Sequence, residues 1–93
     1  MNKDFLKKKI KEIIIRNLNL QEIDDEIIEN MDLYLDAAMD SLTFISLIIE
    51  IENVFDIIIP DDLVIMDKFR NFQKICDIVE KITEEKMNNI WIN

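Results

Sequence analysis

Met39-Asp40-Ser41-Leu42-Thr43-Phe44-Ile45-Ser46-Leu47-Ile48-Ile49-Glu50-Ile51-Glu52-Asn53-Val54-Phe55 is the stretch that decides the fold. Asp40 has the carboxylate of a helix N-cap, able to accept bonds from the unpaired N–H groups of a first turn. Ser41 then opens a helix over 41–55, which holds its hydroxyl at a rigid end. Leu47, Ile51 and Phe55 recur every fourth residue and are expected to face a core. Phe44, Ile45, Ile48 and Ile49 cover much of the remaining circumference. A helix apolar on so many sides is either central to a bundle or partly a surface for partners.

On either side the same period recurs. Leu6, Ile10, Ile13, Ile14 and Leu18 place one apolar face on a helix over 4–18, with Asp4 at its positive end and Asn17 and Asn19 near its close. Phe72, Ile75, Cys76, Val79 and Ile82 do the same for a helix from about Asn71 to Lys86. Between the first helix and Ser41 the pattern lapses. Asp24-Asp25-Glu26-Ile27-Ile28 suits one short helical turn, Asn30 to Met39 has no helical period, and Leu33 and Ala37 are the residues expected to pin it. A connection of that length in a small domain is often functional. Pro60 biases Ile59 towards extended backbone, so no helix continues through it. Asp61 and Asp62 suit the start of a short third helix ending near Met66. The residues 87–93 read as a frayed tail, with Ile90, Trp91 and Ile92 available to dock onto the bundle.

Composition narrows the function classes. A chain of 93 residues that is 49% hydrophobic is expected to form a single domain over 1–93, with its core at about 4–86. With no glycine and one proline, tight-turned β architectures and glycine-dependent phosphate loops are excluded, leaving an all-α fold. With no histidine, a Ser/His/Asp triad and a histidine metal site are excluded. The single cysteine, Cys76, cannot pair within the chain and lies on an apolar stripe, where it reads as a small buried hydrophobe. A net charge of −9, from 20 acidic and 11 basic residues, disfavours nucleic acid and anionic membranes and favours basic protein partners. Lys3, Lys7, Lys8, Lys9 and Lys11 crowd the N-terminus and read as a solvated helix face. No signal peptide or membrane span is evident, so a cytoplasmic monomer is expected. Asp24-Asp25-Glu26 lacks the alternating ligands and central glycine of a calcium loop, and no metal site is expected.

Asp40-Ser41-Leu42 at a helix start, followed at set distances by Leu47, Ile51-Glu52, Phe55 and Ile59-Pro60-Asp61, resembles the acyl carrier protein family and its peptidyl and aminoacyl relatives. The resemblance spans nearly the whole chain. It implies a four-helix bundle with three major helices, one short third helix and a long first loop. It also implies that Ser41 receives 4′-phosphopantetheine from coenzyme A, that Asp40 serves recognition by the phosphopantetheinyl transferase and its magnesium, and that the domain itself is non-catalytic. A phosphodiester on Ser41 would lie at the positive end of a helix dipole. Leu42, Ile45, Ile48 and Ile49, with Glu52, Asp61 and Asp62, are the implied partner-binding residues. Leu33, Phe44, Ile49, Ile59 and Ile75 are the implied acyl groove.

Three departures stand out. Ala38 occupies a position that is often glycine, and fits only if its φ is negative or some strain is accepted. Thr43, Ser46 and Asn53 stand where fatty-acid carriers often have acids, leaving Glu50 and Glu52 on that helix. The segment from Pro60 to Phe72 is longer than in the short fatty-acid type. These features weigh against a housekeeping role and fit a freestanding carrier for fatty-acid, polyketide or related biosynthesis, served by a loading enzyme and a ketosynthase or other acyl-processing enzymes. A peptidyl or aminoacyl carrier, including a D-alanyl carrier, is the alternative cargo class. An acidic helical adaptor without a covalent arm is the alternative from another class.

Overall fold

A computed structural model describes residues 2–21 and 23–92, the side chains of 89–92 excepted. The described residues form four α-helices: α1 (Lys3–Leu18), α2 (Asp25–Asn30), α3 (Ser41–Phe55) and α4 (Phe72–Ile92). The all-α bundle expected from the sequence is what the chain adopts, with three long helices and one short one. The short helix, α2, lies inside the first connection. In place of the short helix expected after Pro60 there are two 3₁₀ turns, Asp61–Leu63 and Met66–Phe69. Each spans a single turn, the usual limit for that geometry.

Helix α1 is capped by Asn2, whose Oδ1 accepts from the N–H groups of Asp4 (2.7 Å) and Phe5 (3.4 Å). It closes at Asn19, which takes left-handed backbone at φ 54°. Leu6, Ile10, Ile13 and Ile14 are buried against α3 and α4, the two helices that α1 contacts most. Burying such a side chain contributes about 1.5–3 kcal/mol, and the core continues through Leu47, Ile51, Phe69, Phe72, Ile75 and Val79.

Lys11 departs from the expected solvated lysine face. Its side chain is largely covered, its Nζ bonds Glu29 (2.7 Å) and Asp25 (3.4 Å), and it lies 5.3 Å from the Phe72 ring centroid. The long stem covers apolar surface while the ammonium ties α2 to α1. The Glu29 bond, outweighing desolvation, raises its pKa.

Helix α4 is capped by Asn71, whose Oδ1 accepts from the N–H of Lys74 (2.9 Å). Its backbone stays helical through Ile92, well past the expected stop near Lys86. The suggested docking of Ile90, Trp91 and Ile92 falls outside the described residues. Among the described residues, no helix is long and apolar enough to cross a membrane, and no group of three or more acids, cysteines or histidines is placed to hold a metal.

Candidate functional site

The end of α3 that carries Ser41 is built by Asp40. Its backbone is extended, its Oδ1 accepts from the Thr43 N–H (2.8 Å), and its carbonyl accepts from the Phe44 N–H (2.8 Å). The Thr43 N–H, followed by the Thr43 hydroxyl, holds the Asp40 carboxyl below its ordinary value. Ser41 is therefore the first residue of the helix, and it is exposed. Leu42 beside it is 81% exposed.

The chain enters this end under strain. Ala38 sits in left-handed backbone at φ 52°, the outcome its replacement of glycine left open. Met39, which was not among the residues expected in the core, is buried and fixes the segment, its N–H bonding the Leu33 carbonyl (3.1 Å). Asp32 organises the start of the same loop. Its Oδ1 accepts from the N–H groups of Tyr34 and Leu35, both at 2.9 Å. The Leu35 N–H does most, against some desolvation and with help from Arg70, to lower the Asp32 pKa.

The expected partner residues divide. Ile45 (46% exposed), Ile49 (52%) and Leu42 share the outer face of α3, while Ile48 is only 5% exposed and belongs to the core. Ile48 is thus corrected from surface to interior. It lies one helical turn from Phe44 and on the buried side with Leu47, Ile51 and Phe55. Glu52 is half-buried, and its Oε2 accepts from the Ile59 N–H (2.8 Å). This bond explains the Glu52-to-Ile59 spacing: the carboxylate satisfies the backbone just before Pro60. Asp61 and Asp62 are exposed in the first 3₁₀ turn.

Glu50 is likewise engaged within the fold. It accepts from Arg16 Nε (2.9 Å) and Asn17 Nδ2 (2.7 Å), and pairs with Arg16 Nη2. Burial pushes its pKa up, but these bonds outweigh it and leave the carboxyl below its ordinary value. Both acids of α3 are therefore tied down, and the outer face between Leu42 and Asn53 carries no charged side chain.

Of the implied groove residues, Leu33, Phe44, Ile59 and Ile75 are buried together in the core, while Ile49 lies outside it. Ile49 is corrected for the same reason as Ile48: an α3 apolar at most angles does not reveal its phase. Phe44 meets Phe69 with ring centroids 5.7 Å apart, filling the space between α3 and the second 3₁₀ turn. Beside the Ser41 loop a recess of about 330 Å³ is lined by Tyr34, Met66, Asp67 and Arg70. Neither Tyr34 nor Arg70 has a local sequence pattern that would mark it.

An exposed serine at a helix N-terminus suits a covalently attached phosphodiester, because the helix dipole favours an anion there. No curated protein matches the chain significantly. The family model described as a phosphopantetheine attachment site matches residues 8–83, which take in most of α1, the whole first connection with α2, all of α3 and the first half of α4. The chain belongs to this phosphopantetheine-binding family of carrier proteins, whose prosthetic group is 4′-phosphopantetheine.

Proposed function

We propose that the chain is an acyl carrier in which Ser41 bears the 4′-phosphopantetheine arm. The observation that carries this reading is the exposed Ser41 at the capped start of α3, within the family match. In the attachment, Ser41 Oγ forms a bond to the phosphorus of coenzyme A that bears the pantetheine. The pyrophosphate P–O bond breaks, 3′,5′-ADP leaves, and the hydroxyl proton passes to the transferase. The thiol of the arm then holds the cargo as a thioester. The fold supplies a rigid mount and raises the local concentration of tethered cargo at each enzyme it meets.

In this reading the chain is a single carrier domain and a substrate of other enzymes. The partners are the transferase, a loading enzyme and a ketosynthase or similar acyl-processing enzyme, in a fatty-acid, polyketide or related pathway. Leu42, Ile45 and Ile49 supply an apolar surface for them, and the exposed Asp61 and Asp62 supply negative charge. A reduced, buried Cys76 fits a cytoplasmic setting.

The test is intact mass after incubation with coenzyme A and a broad-specificity phosphopantetheinyl transferase. The expected result is a gain of one phosphopantetheine, absent in Ser41→Ala. No gain in the unaltered chain, or a gain that survives Ser41→Ala, overturns the reading. Loss of the gain with partner binding and cellular function intact would instead favour the adaptor.

A further inference from the structure

The geometry points to Arg70 as a positioning residue for the attachment reaction, one that holds the Ser41 loop in the shape the transferase binds. The inference rests on Ser41 being the attachment point.

Arg70 lies after the second 3₁₀ turn, far along the chain from the loop it touches. Its Nε donates to Asp32 Oδ2 (2.6 Å) and its Nη1 to Asp67 Oδ1 (3.1 Å). Its guanidinium carbon stands 5.5 Å from the Tyr34 ring centroid. Its own carbonyl accepts from the Leu33 N–H (2.7 Å). Leu33 in turn accepts from the Met39 N–H (3.1 Å), and Met39 adjoins Asp40. A continuous set of bonds therefore runs from Arg70 through Asp32 and Leu33 to Met39, one residue from the cap of α3.

This network has something to hold in place. Ala38 is kept at φ 52°, a conformation an alanine leaves readily unless its surroundings over-determine it. The bonds on Leu33 and Met39 bracket Ala38, and the Asp32 turn fixes where that bracket begins. Arg70 suits the task because its planar fork donates to both carboxylates from separate nitrogens in fixed directions while its guanidinium lies over Tyr34, a geometry that a lysine's single ammonium centre fixes less firmly. With the Arg70–Asp32 bond lost, the loop samples other shapes. The transferase then binds only the fraction still in the competent one, and the apparent affinity falls by that fraction. The chemistry at Ser41 Oγ is unchanged once bound.

The experiment measures transferase kinetics with coenzyme A on the apo protein, varying carrier concentration, for the unaltered chain and for Arg70→Gln, Asp32→Asn, Asp67→Asn and Arg70→Lys. Arg70→Gln is expected to raise KM about tenfold and leave kcat within about twofold. Asp32→Asn keeps an Oδ1 acceptor for Tyr34 and Leu35 but loses the charged bond to Arg70, and is expected to match it. The Arg70→Gln/Asp32→Asn double variant is expected to be no worse than either single change, since both remove one interaction. Asp67→Asn, which leaves the Asp32 bond in place, is expected to stay near the unaltered KM. Arg70→Lys is expected to restore part of the loss. An unchanged KM in Arg70→Gln and Asp32→Asn overturns the inference, as does an equal rise in Asp67→Asn or a fall in kcat alone. If Arg70→Gln does not fold, Asp32→Asn carries the same test. If the unaltered chain gains no arm, it is the Ser41 reading that fails. If it is modified and the variants match it, only the role of Arg70 fails.

Discussion

Ala38→Gly is expected to stabilise the protein, although glycine replacements usually do the reverse. Alanine in left-handed backbone carries a steric cost of about 1–2 kcal/mol, because Cβ crowds the following carbonyl oxygen. Ala38 is at φ 52° and bears this cost. Glycine removes it but gains freedom in the unfolded chain, which costs about 0.4–1 kcal/mol. Between the centres of the two ranges the difference is a net stabilisation of about 0.8 kcal/mol. With a urea m-value of about 1–2 kcal/mol/M for a chain of this size, the midpoint should rise by roughly 0.5 M. Ala37→Gly is the matched control. Ala37 is not among the left-handed residues, so the same change there removes no strain and should lower stability by about 0.4–1 kcal/mol. Urea melts followed by circular dichroism read both variants. A midpoint for Ala38→Gly at or below that of the unaltered chain refutes the strain, as does an equal response from the two sites.

Cys76 is buried, and burial pushes its thiol up to about 12, so it is expected to resist iodoacetamide at pH 8 in the folded chain and to react in urea. After attachment of the arm, mass spectrometry should then show one alkylation natively and two in denaturant. Two under native conditions would contradict the packing around Cys76. Asp40 has a lowered folded pKa, so its charge stabilises the fold above the unfolded value near 3.8 and the contribution fades as pH falls through the lower folded value. Asp40→Asn keeps a capping oxygen but not the charge, and is expected to flatten the loss of melting temperature below about pH 4. An unchanged acid limb would show that the Asp40 charge does not contribute.

The three long helices were legible because their apolar residues repeat at spacings of three and four over several turns. Helix α2 is too short to display that repeat and was legible only as the short helical turn at Asp24–Ile28, while its anchor, Lys11 on Glu29 and Asp25, is formed by a residue that reads as solvated. The 3₁₀ turns leave no period of their own. Ser41 and Asp40 were visible because a cap is a local arrangement of neighbouring residues. Arg70 was not, since its bond to Asp32 crosses from one loop to another and depends on the folded bundle. Ile48 was expected on the surface and lies in the core, and Ile49, expected both on the partner face and in the groove, lies only on the surface, because α3 is apolar at most angles. The strain at Ala38 was half-legible: a missing glycine signals a conflict, but only the backbone shows which way it is resolved.

The engagement of Glu50 and Glu52 within the fold bears on traffic between pathways. Charged docking faces draw partners from a distance and associate up to about a thousandfold faster than neutral ones, but any enzyme of opposite charge responds to them. The outer face of α3 presents Leu42, Ile45 and Ile49 without a charged side chain among them. The face itself therefore adds no charge to the general pull that a chain of net charge −9 exerts on basic partners, and discrimination at that face is left to apolar fit on contact. Were partners to dock on Leu42, Ile45 and Ile49, carriers of similar acidity would be told apart there by shape rather than by a pattern of charges.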